Sequence, residues 1–254
     1  MRYGSFVWYE LATTDLAAAE QFYGDVTGSW TFGSFDMPGE EYRVVKVGER
    51  AIGGFVRIAP GTQGPGPLWR GYIDVDDVEA MAARVKTAGG AVHYGPEDIA
   101  NSGTFAVCSD PSGAQFMIFK GLAGQQPQIP LETPGAVGWH ELYTDDLDAS
   151  WSFYSSLFGW TKSRSADLGL AGTYQVFGIN GVDVGAMLSA PSKPSSWLFY
   201  VTVDDIDTAA KRIASRGAVI RGCSMDTPDA ALMVQARDLQ GAVFAVRSSS
   251  RRVT

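Results

Sequence analysis

The sequence predicts an α+β chain of four βαβββ modules in two tandem pairs, and three observations predict it. A strand-into-helix block occurs twice. Laid together without a gap, residues 8–28 and 139–159 agree at ten of twenty-one positions: Trp, Glu, Leu, Thr, Asp, Leu, Ala, Phe, Tyr and Gly. Ordinary residue usage gives about one or two such matches, so the block is an internal repeat. Inside each half, the order of strand, capped helix and three short strands is met a second time. Finally, 254 residues suit two ordinary domains. The reading places these at residues 1–120 and 136–248, with a linker at 121–135 and a polar tail at 249–254.

Residues 5–13 alternate apolar and polar side chains, as a half-buried strand does. Asp15 offers a carboxylate to the free amides of a first helical turn. Leu16, Ala19, Phe22, Tyr23 and Val26 form one stripe, and Gly28 ends the helix. Short strands are expected at residues 31–35, 41–47 and 51–58, the last two joined at Gly48-Glu49. A Pro/Gly-rich loop at 60–67 leads to a strand at 69–75. Asp76 or Asp77 then caps a helix with Val78, Met81, Ala82 and Val85 inward, and Gly89-Gly90 stops it. Strands at 91–94, 104–109 and 114–119 complete the second module, the last pair joined by Asp110-Pro111-Ser112-Gly113.

The second half repeats the order. A strand at 137–144 enters the helix capped by Asp146, whose stripe is Leu147, Ser150, Phe153, Tyr154, Leu157 and Phe158. Strands follow at 160–164, 173–179 and 182–188, with Asn180-Gly181 as a tight hairpin turn. After a Pro/Ser loop at 191–195 comes a strand at 197–203. Asp205 caps a helix with Ile206, Ala209, Ala210 and Ile213 inward, ended by Gly217. Strands near 218–221, 230–236 and 242–247 close the fourth module, the last two separated by Asp238-Leu239-Gln240-Gly241.

Composition narrows the function classes. The formal net charge is −8, which argues against nucleic acid and anionic membrane surfaces as partners. Most of the imbalance lies in residues 1–120, with 15 acids against 9 bases; residues 136–254 carry 12 against 11. No basic region followed by an apolar run opens the chain, so no signal peptide is expected. No apolar stretch approaches the roughly 20 residues of a membrane span. Cys108 and Cys223 do not occupy equivalent places, so a duplicated disulfide or thiolate site is not expected. They read as buried small apolar residues in a reducing, cytoplasmic compartment.

Asp-Leu followed by Phe-Tyr and Gly, in residues 15–28 and 146–159, together with Asp-Pro-Ser-Gly at 110–113 and its relative at 238–241, carry a family resemblance. Over essentially its whole length the chain resembles a tandem vicinal-oxygen-chelate protein, the superfamily of glyoxalase I, extradiol dioxygenases and bleomycin-resistance proteins. The resemblance implies two glyoxalase-like domains of cupped sheets with helices outside. It specifies the fold well and the function poorly, since that superfamily hosts many reactions and some plain binders.

The resemblance also implies a divalent metal held by His, Gln or Glu inside each cup. The matching positions here are Trp8, Gly54, Arg70 and Met117 in the first half, and Trp139, Ala186, Leu198 and Ala245 in the second. An indole, a guanidinium, a thioether and alkyl groups do not cage a hard or borderline ion. The expectation is no metal and no other cofactor. His140 lies beside Glu141, but strand alternation puts it on the face of Leu142, against the helix. It reads as a packed or surface histidine, and His93 as a surface strand residue.

Glu10 and Glu141 share a strand face with Trp8 and Trp139, two residues before each, and are expected inside the cups. A buried carboxylate needs a partner or a proton. Arg70 is a possible partner for Glu10; Tyr200 and Arg247 are possible partners for Glu141. The bland reading makes these acids strand ties. The sharper one makes them ligand-binding groups or a general base. Trp8, Tyr72, Trp139, Tyr143 and Tyr200 fall on cup-facing positions; such aromatics are core more often than site, yet small-molecule pockets are built this way.

The candidate ligand-binding set is therefore Trp8, Glu10, Arg70, Tyr72, Met117, Trp139, Glu141, Tyr143, Tyr200 and Arg247. The reading that follows is a metal-independent small-molecule-binding protein, monomeric or homodimeric. The alternative is an enzyme of the same superfamily, a lyase, isomerase or dioxygenase, using Glu10 or Glu141 or relocated metal ligands.

Overall fold

The computed structural model describes residues 3–37, 40–62, 64, 66–122, 129–169, 172–190, 194–224 and 232–248. The expected tail at 249–254, the middle of the expected linker and the start of the strand expected at 230–236 lie outside them.

Four βαβββ modules follow one another. The first is β1 (Phe6–Thr13), α1 (Leu16–Thr27), β2 (Trp30–Met37), β3 (Glu40–Val47) and β4 (Arg50–Arg57). The second is β5 (Leu68–Asp74), α2 (Val78–Thr87), β6 (Ala91–Ile99), β7 (Gly103–Ser109) and β8 (Gln115–Gly121). The third is β9 (Val137–Thr144), α3 (Leu147–Phe158), β10 (Thr161–Asp167), β11 (Thr173–Ile179) and β12 (Val182–Ser189). The fourth is β13 (Ser196–Thr202), α4 (Ile206–Ser215), β14 (Val219–Ser224), β15 (Leu232–Arg237) and β16 (Val243–Ser248). The strands form two eight-stranded sheets, in the orders β2-β3-β4-β1-β5-β8-β7-β6 and β10-β11-β12-β9-β13-β16-β15-β14. The first strand of each module runs parallel to its last, as in β1–β4 and β9–β12, and the remaining pairs within each module are antiparallel.

Local chemistry sets the helix ends. Asp15, Asp77, Asp146 and Asp205 stand in extended conformation and accept from the amides of Ala18, Ala80, Ala149 and Thr208 at 2.7–3.0 Å. Gly28 and Gly159 close α1 and α3 in the left-handed conformation, at φ 68° and 70°, which costs a glycine least. One strand outruns its expected length. β6 continues past Gly95-Pro96 to Ile99, with register shifts at Val92/Tyr94 and Tyr94/Glu97. The expected strand at 91–94 ends short of this; Gly95-Pro96 sits in a bulged edge strand, where both residues are tolerated.

The chain forms two compact units. The first comprises Met1–Trp8, Arg70–Pro127 and His140–Trp197; the second comprises Tyr9–Trp69, Gln128–Trp139 and Leu198–Thr254. Helices α2 and α3 pack together in the first, and α1 and α4 in the second.

Each unit is centred on the same three-residue tie. In the first, the Tyr154 hydroxyl donates to Asp110 Oδ2 at 3.2 Å and accepts from Trp197 Nε1 at 2.9 Å. In the second, the Tyr23 hydroxyl donates to Asp238 Oδ2 at 2.9 Å and accepts from Trp69 Nε1 at 2.9 Å. The other carboxylate oxygen of each Asp holds its own turn, through the amides of Ser112 and Ala114 or of Gln240, Gly241 and Ala242. Burial raises both Asp carboxyls above their ordinary range against the pull of those bonds, and it raises both phenols further still. Trp160 and Trp30 occupy matching places, their indole nitrogens donating to the carbonyls of Gly4 and Gly135 at 2.7 Å.

Candidate functional site

The two faces of the second module's strands differ in what covers them. Ile73, Ala106, Cys108, Phe116 and Ile118 point to the α2 side and are fully buried. Burial pushes the Cys108 thiol up to about 12, so this cysteine is packing and not a nucleophile. The opposite face carries Tyr72, Val107 and Met117, with Val7, Trp8, Phe105 and Phe119 packed against them and partly exposed. Strand register aligns this face in two rows. Tyr72, Met117, Val107 and Tyr94 are successive partners across β5, β8, β7 and β6; Asp74, Phe119, Phe105 and Glu97 form the next row. Tyr72 lies 6.5 Å from Phe105 and 6.0 Å from Phe119, and Tyr94 lies 5.8 Å from Phe105. Trp8, Tyr72 and Met117 of the candidate set are thus brought together, while Phe105, Phe119 and Tyr94 were missed. Arg70 is half-buried two residues before Tyr72 on β5.

Glu141 has a different setting in the same unit. It is 4% exposed, and each oxygen accepts a phenol: Oε1 from Tyr174 at 2.8 Å and Oε2 from Tyr143 at 3.0 Å. Tyr143 reaches it because residues two apart share a strand face. Tyr174 belongs to β11 and comes across β12, where the residue opposite Glu141 is the small Ala186. His140, on the other face, stacks on Phe6 at 4.3 Å and places Nδ1 2.7 Å from the Val184 carbonyl. It is a packed histidine. His93 sits exposed on β6, its Nε2 2.9 Å from Ser109 Oγ.

The second unit holds Glu10, Trp139, Tyr200 and Arg247. Glu10 is 6% exposed and pairs in register with Gly54. Tyr42 stands in β3 where Tyr174 stands in β11, and a Cβ added to Gly54 would run into its ring. Tyr143 has no counterpart, since the matching residue is Ala12. Arg247 is committed to its own neighbourhood: Nη1 donates to the Gly138 carbonyl at 2.8 Å, Nη2 to Glu132 at 3.2 Å, and the guanidinium lies 5.8 Å from the Trp139 ring centre. Gln235 donates to the fully buried Tyr200 hydroxyl at 2.6 Å. Glu132 and Gln235 are further residues that sequence reasoning missed.

The positions that the family resemblance assigns to a metal do not suit one. They hold Trp8, Gly54, Arg70 and Met117, or Trp139, Ala186, Leu198 and Ala245, a donor set without imidazole, carboxylate or thiolate. Among the described residues, no three His, Cys, Asp or Glu side chains converge as metal ligands would.

Comparison with known proteins adds to this geometry. The family model of the Glyoxalase/Bleomycin resistance protein/Dioxygenase superfamily matches residues 5–118 and again 136–246. A Mycobacterium bovis protein, CFP32, whose name classes it provisionally as a glyoxylase, is 31% identical over 250 residues, covering 96% of this chain and 95% of its own. The anthracycline biosynthesis protein DnrV of Streptomyces peucetius is 30% identical over 243 residues, covering 89% and 86%. Among solved structures, the Mn(II)-bound glyoxalase from Novosphingobium aromaticivorans superposes with a TM-score of 0.66 at 17% identity, covering 98% of this chain and 83% of that one. At that identity the likeness concerns the fold alone. With the family model matched in both halves and the paired βαβββ modules in place, the chain belongs to the glyoxalase/bleomycin resistance protein/dioxygenase superfamily.

Proposed function

We propose that this protein is a small-molecule-binding member of the superfamily that works without a metal. One observation carries the reading: the metal-ligand positions hold indole, guanidinium, thioether and alkyl groups, while the strand face around Trp8 and Met117 is built of aromatic rings. Such a face suits an apolar or amphipathic molecule, with a few polar groups to orient it. The Streptomyces relative's name, an anthracycline biosynthesis protein, supports a small organic molecule over a macromolecule as partner. Nucleic acid and membrane are not partners in this reading, and the protein acts in the cytoplasm as a monomer or homodimer. Among the described residues, no helix is long and apolar enough to cross a membrane.

A second reading keeps an enzyme, a lyase, isomerase or dioxygenase of the superfamily. Its support is Glu141, a buried carboxylate whose direction is set by two phenols, as a positioned general base would be. Native mass spectrometry of gently purified protein, with elemental analysis, separates the binding reading from a metal-dependent enzyme, and turnover of the co-purified molecule would mark a metal-free one. The binding reading expects a co-purified organic molecule, no stoichiometric zinc, nickel, iron or manganese, and no change of melting temperature with chelator. A bound ion stabilises the fold by mass action, so a clear chelator-induced drop would reverse the ranking.

A further inference from the structure

We propose that the ligand platform is the face formed by β5, β8, β7 and β6 of the second module, and that it takes a planar aromatic molecule bearing protonated amino groups. The proposal rests on the small-molecule reading above and names its site and ligand class.

The two equivalent faces of the chain are not equally available. On the fourth module, Tyr200, Ala245, Gln235, Arg247 and Met233 take the places of Tyr72, Met117, Val107, Phe119 and Phe105. Tyr200, Ala245, Arg247 and Met233 are buried there, and Gln235 is half-buried. The Tyr200 hydroxyl is taken by Gln235, and Arg247 is held by Gly138, Glu132 and the Trp139 ring. A ligand would have to displace an ion pair and two further hydrogen bonds to lie on that face. On the second module three of the same positions are rings, Tyr72, Phe119 and Phe105, and the other two are Met117 and Val107. Phe105, Phe119 and the nearby Trp8 are partly exposed, and Tyr94, at the outer end of the row, is 51% exposed. Partly exposed rings lying 5.8–6.5 Å from their neighbours can stack with or abut a flat ligand.

Charge selects within flat molecules. Asp74 and Glu97 bracket the row of Phe119 and Phe105, and ring faces themselves attract cations. The one cation of this strand face on β5 is Arg70, two residues before Tyr72 and on the side away from the acidic row. A ligand whose amino edge points to Asp74 and Glu97 meets attraction at that end. An anionic edge there would meet two carboxylates.

Proflavine, a planar diamino cation, is the probe, titrated by fluorescence into the full chain and competed with anthraquinone-2-sulfonate, a planar anion. Proflavine should bind saturably. Phe105→Ala should weaken it about tenfold and Tyr94→Ala several-fold, as loss of a ring contact does, while Met233→Ala leaves it unchanged. Tyr94 is half-exposed, so Tyr94→Ala keeps the test valid where Phe105→Ala fails to fold. Absence of saturable binding, binding weakened by Met233→Ala and not by Tyr94→Ala, or sulfonate binding as tightly as proflavine would each overturn the proposal. If native mass spectrometry still finds the co-purified molecule on Tyr94→Ala and Phe105→Ala protein, the small-molecule reading stands and only this site is lost.

Discussion

Glu141 has both oxygens occupied, by the hydroxyls of Tyr143 and Tyr174. Hydrogen bonds to a charged group are worth about 1.5–3 kcal/mol each, against about 0.5–1.5 for neutral ones. Glu141→Gln keeps the size, offers one phenol a neutral acceptor and turns an amide donor towards the other. The expected cost is about 1–3 kcal/mol, read as a lower denaturation midpoint at unchanged slope. A midpoint equal to that of the unmodified protein would show that the phenols do not depend on the charge. The first-half residue Glu10 is set differently, because Ala12 stands where Tyr143 does. One inward acid is therefore gripped by its neighbour two residues on, and the other is not.

Among the elements, the two Asp-x-x-Gly turns do more than reverse the chain. Asp110 and Asp238 are buried under the phenols of Tyr154 and Tyr23, and burial raises their carboxyls. A raised folded value means that the fold binds a proton more readily than the unfolded chain. The contribution of such a group to stability therefore falls as pH rises from the unfolded towards the folded value, and is recovered on acidification. The Tyr154 hydrogen bond opposes the rise. Tyr154→Phe removes it, lifting Asp110 further and leaving Trp197 Nε1 without its acceptor. The variant should lose about 1–3 kcal/mol near neutral pH, and the deficit should narrow on acidification, as the carboxyl protonates. A deficit that stays constant over this range would place the whole cost on Trp197. The turns themselves were legible as Asp-Pro-Ser-Gly and Asp-Leu-Gln-Gly, and the caps Asp15, Asp77, Asp146 and Asp205 were legible because each acts on an amide three residues away. The tyrosine ties were not, since Asp110 and Tyr154 are 44 residues apart and Tyr23 and Asp238 are 215 apart. Tyr42 and Tyr174 were hidden for a related reason. They reach across a middle strand only because Gly54 and Ala186 leave room there, which depends on register and not on composition.

For the whole molecule, the repeat announces two halves, but the compact units do not follow them. Modules two and three share one unit and modules one and four the other. Neither half of the chain carries both members of a tyrosine–aspartate tie, nor both helices of the α1/α4 or α2/α3 pairs. Residues 1–122 and 129–254 expressed separately should each lack a cooperative melt, and co-expression should restore one. Either half melting cooperatively alone, with the enthalpy of a folded domain, would refute this dependence.

The Tyr23–Asp238 tie also bears on how the chain is made. At roughly 5–20 residues per second, the 215 residues between them take about 10–40 s to synthesise. Throughout that interval the Tyr23 phenol has no aspartate, and for most of it α1 has no α4 to pack against. The surface of the nascent first module that meets α4 and Phe244 waits uncovered, so the period of greatest exposure to aggregation or chaperone capture falls during translation, before the second unit can close.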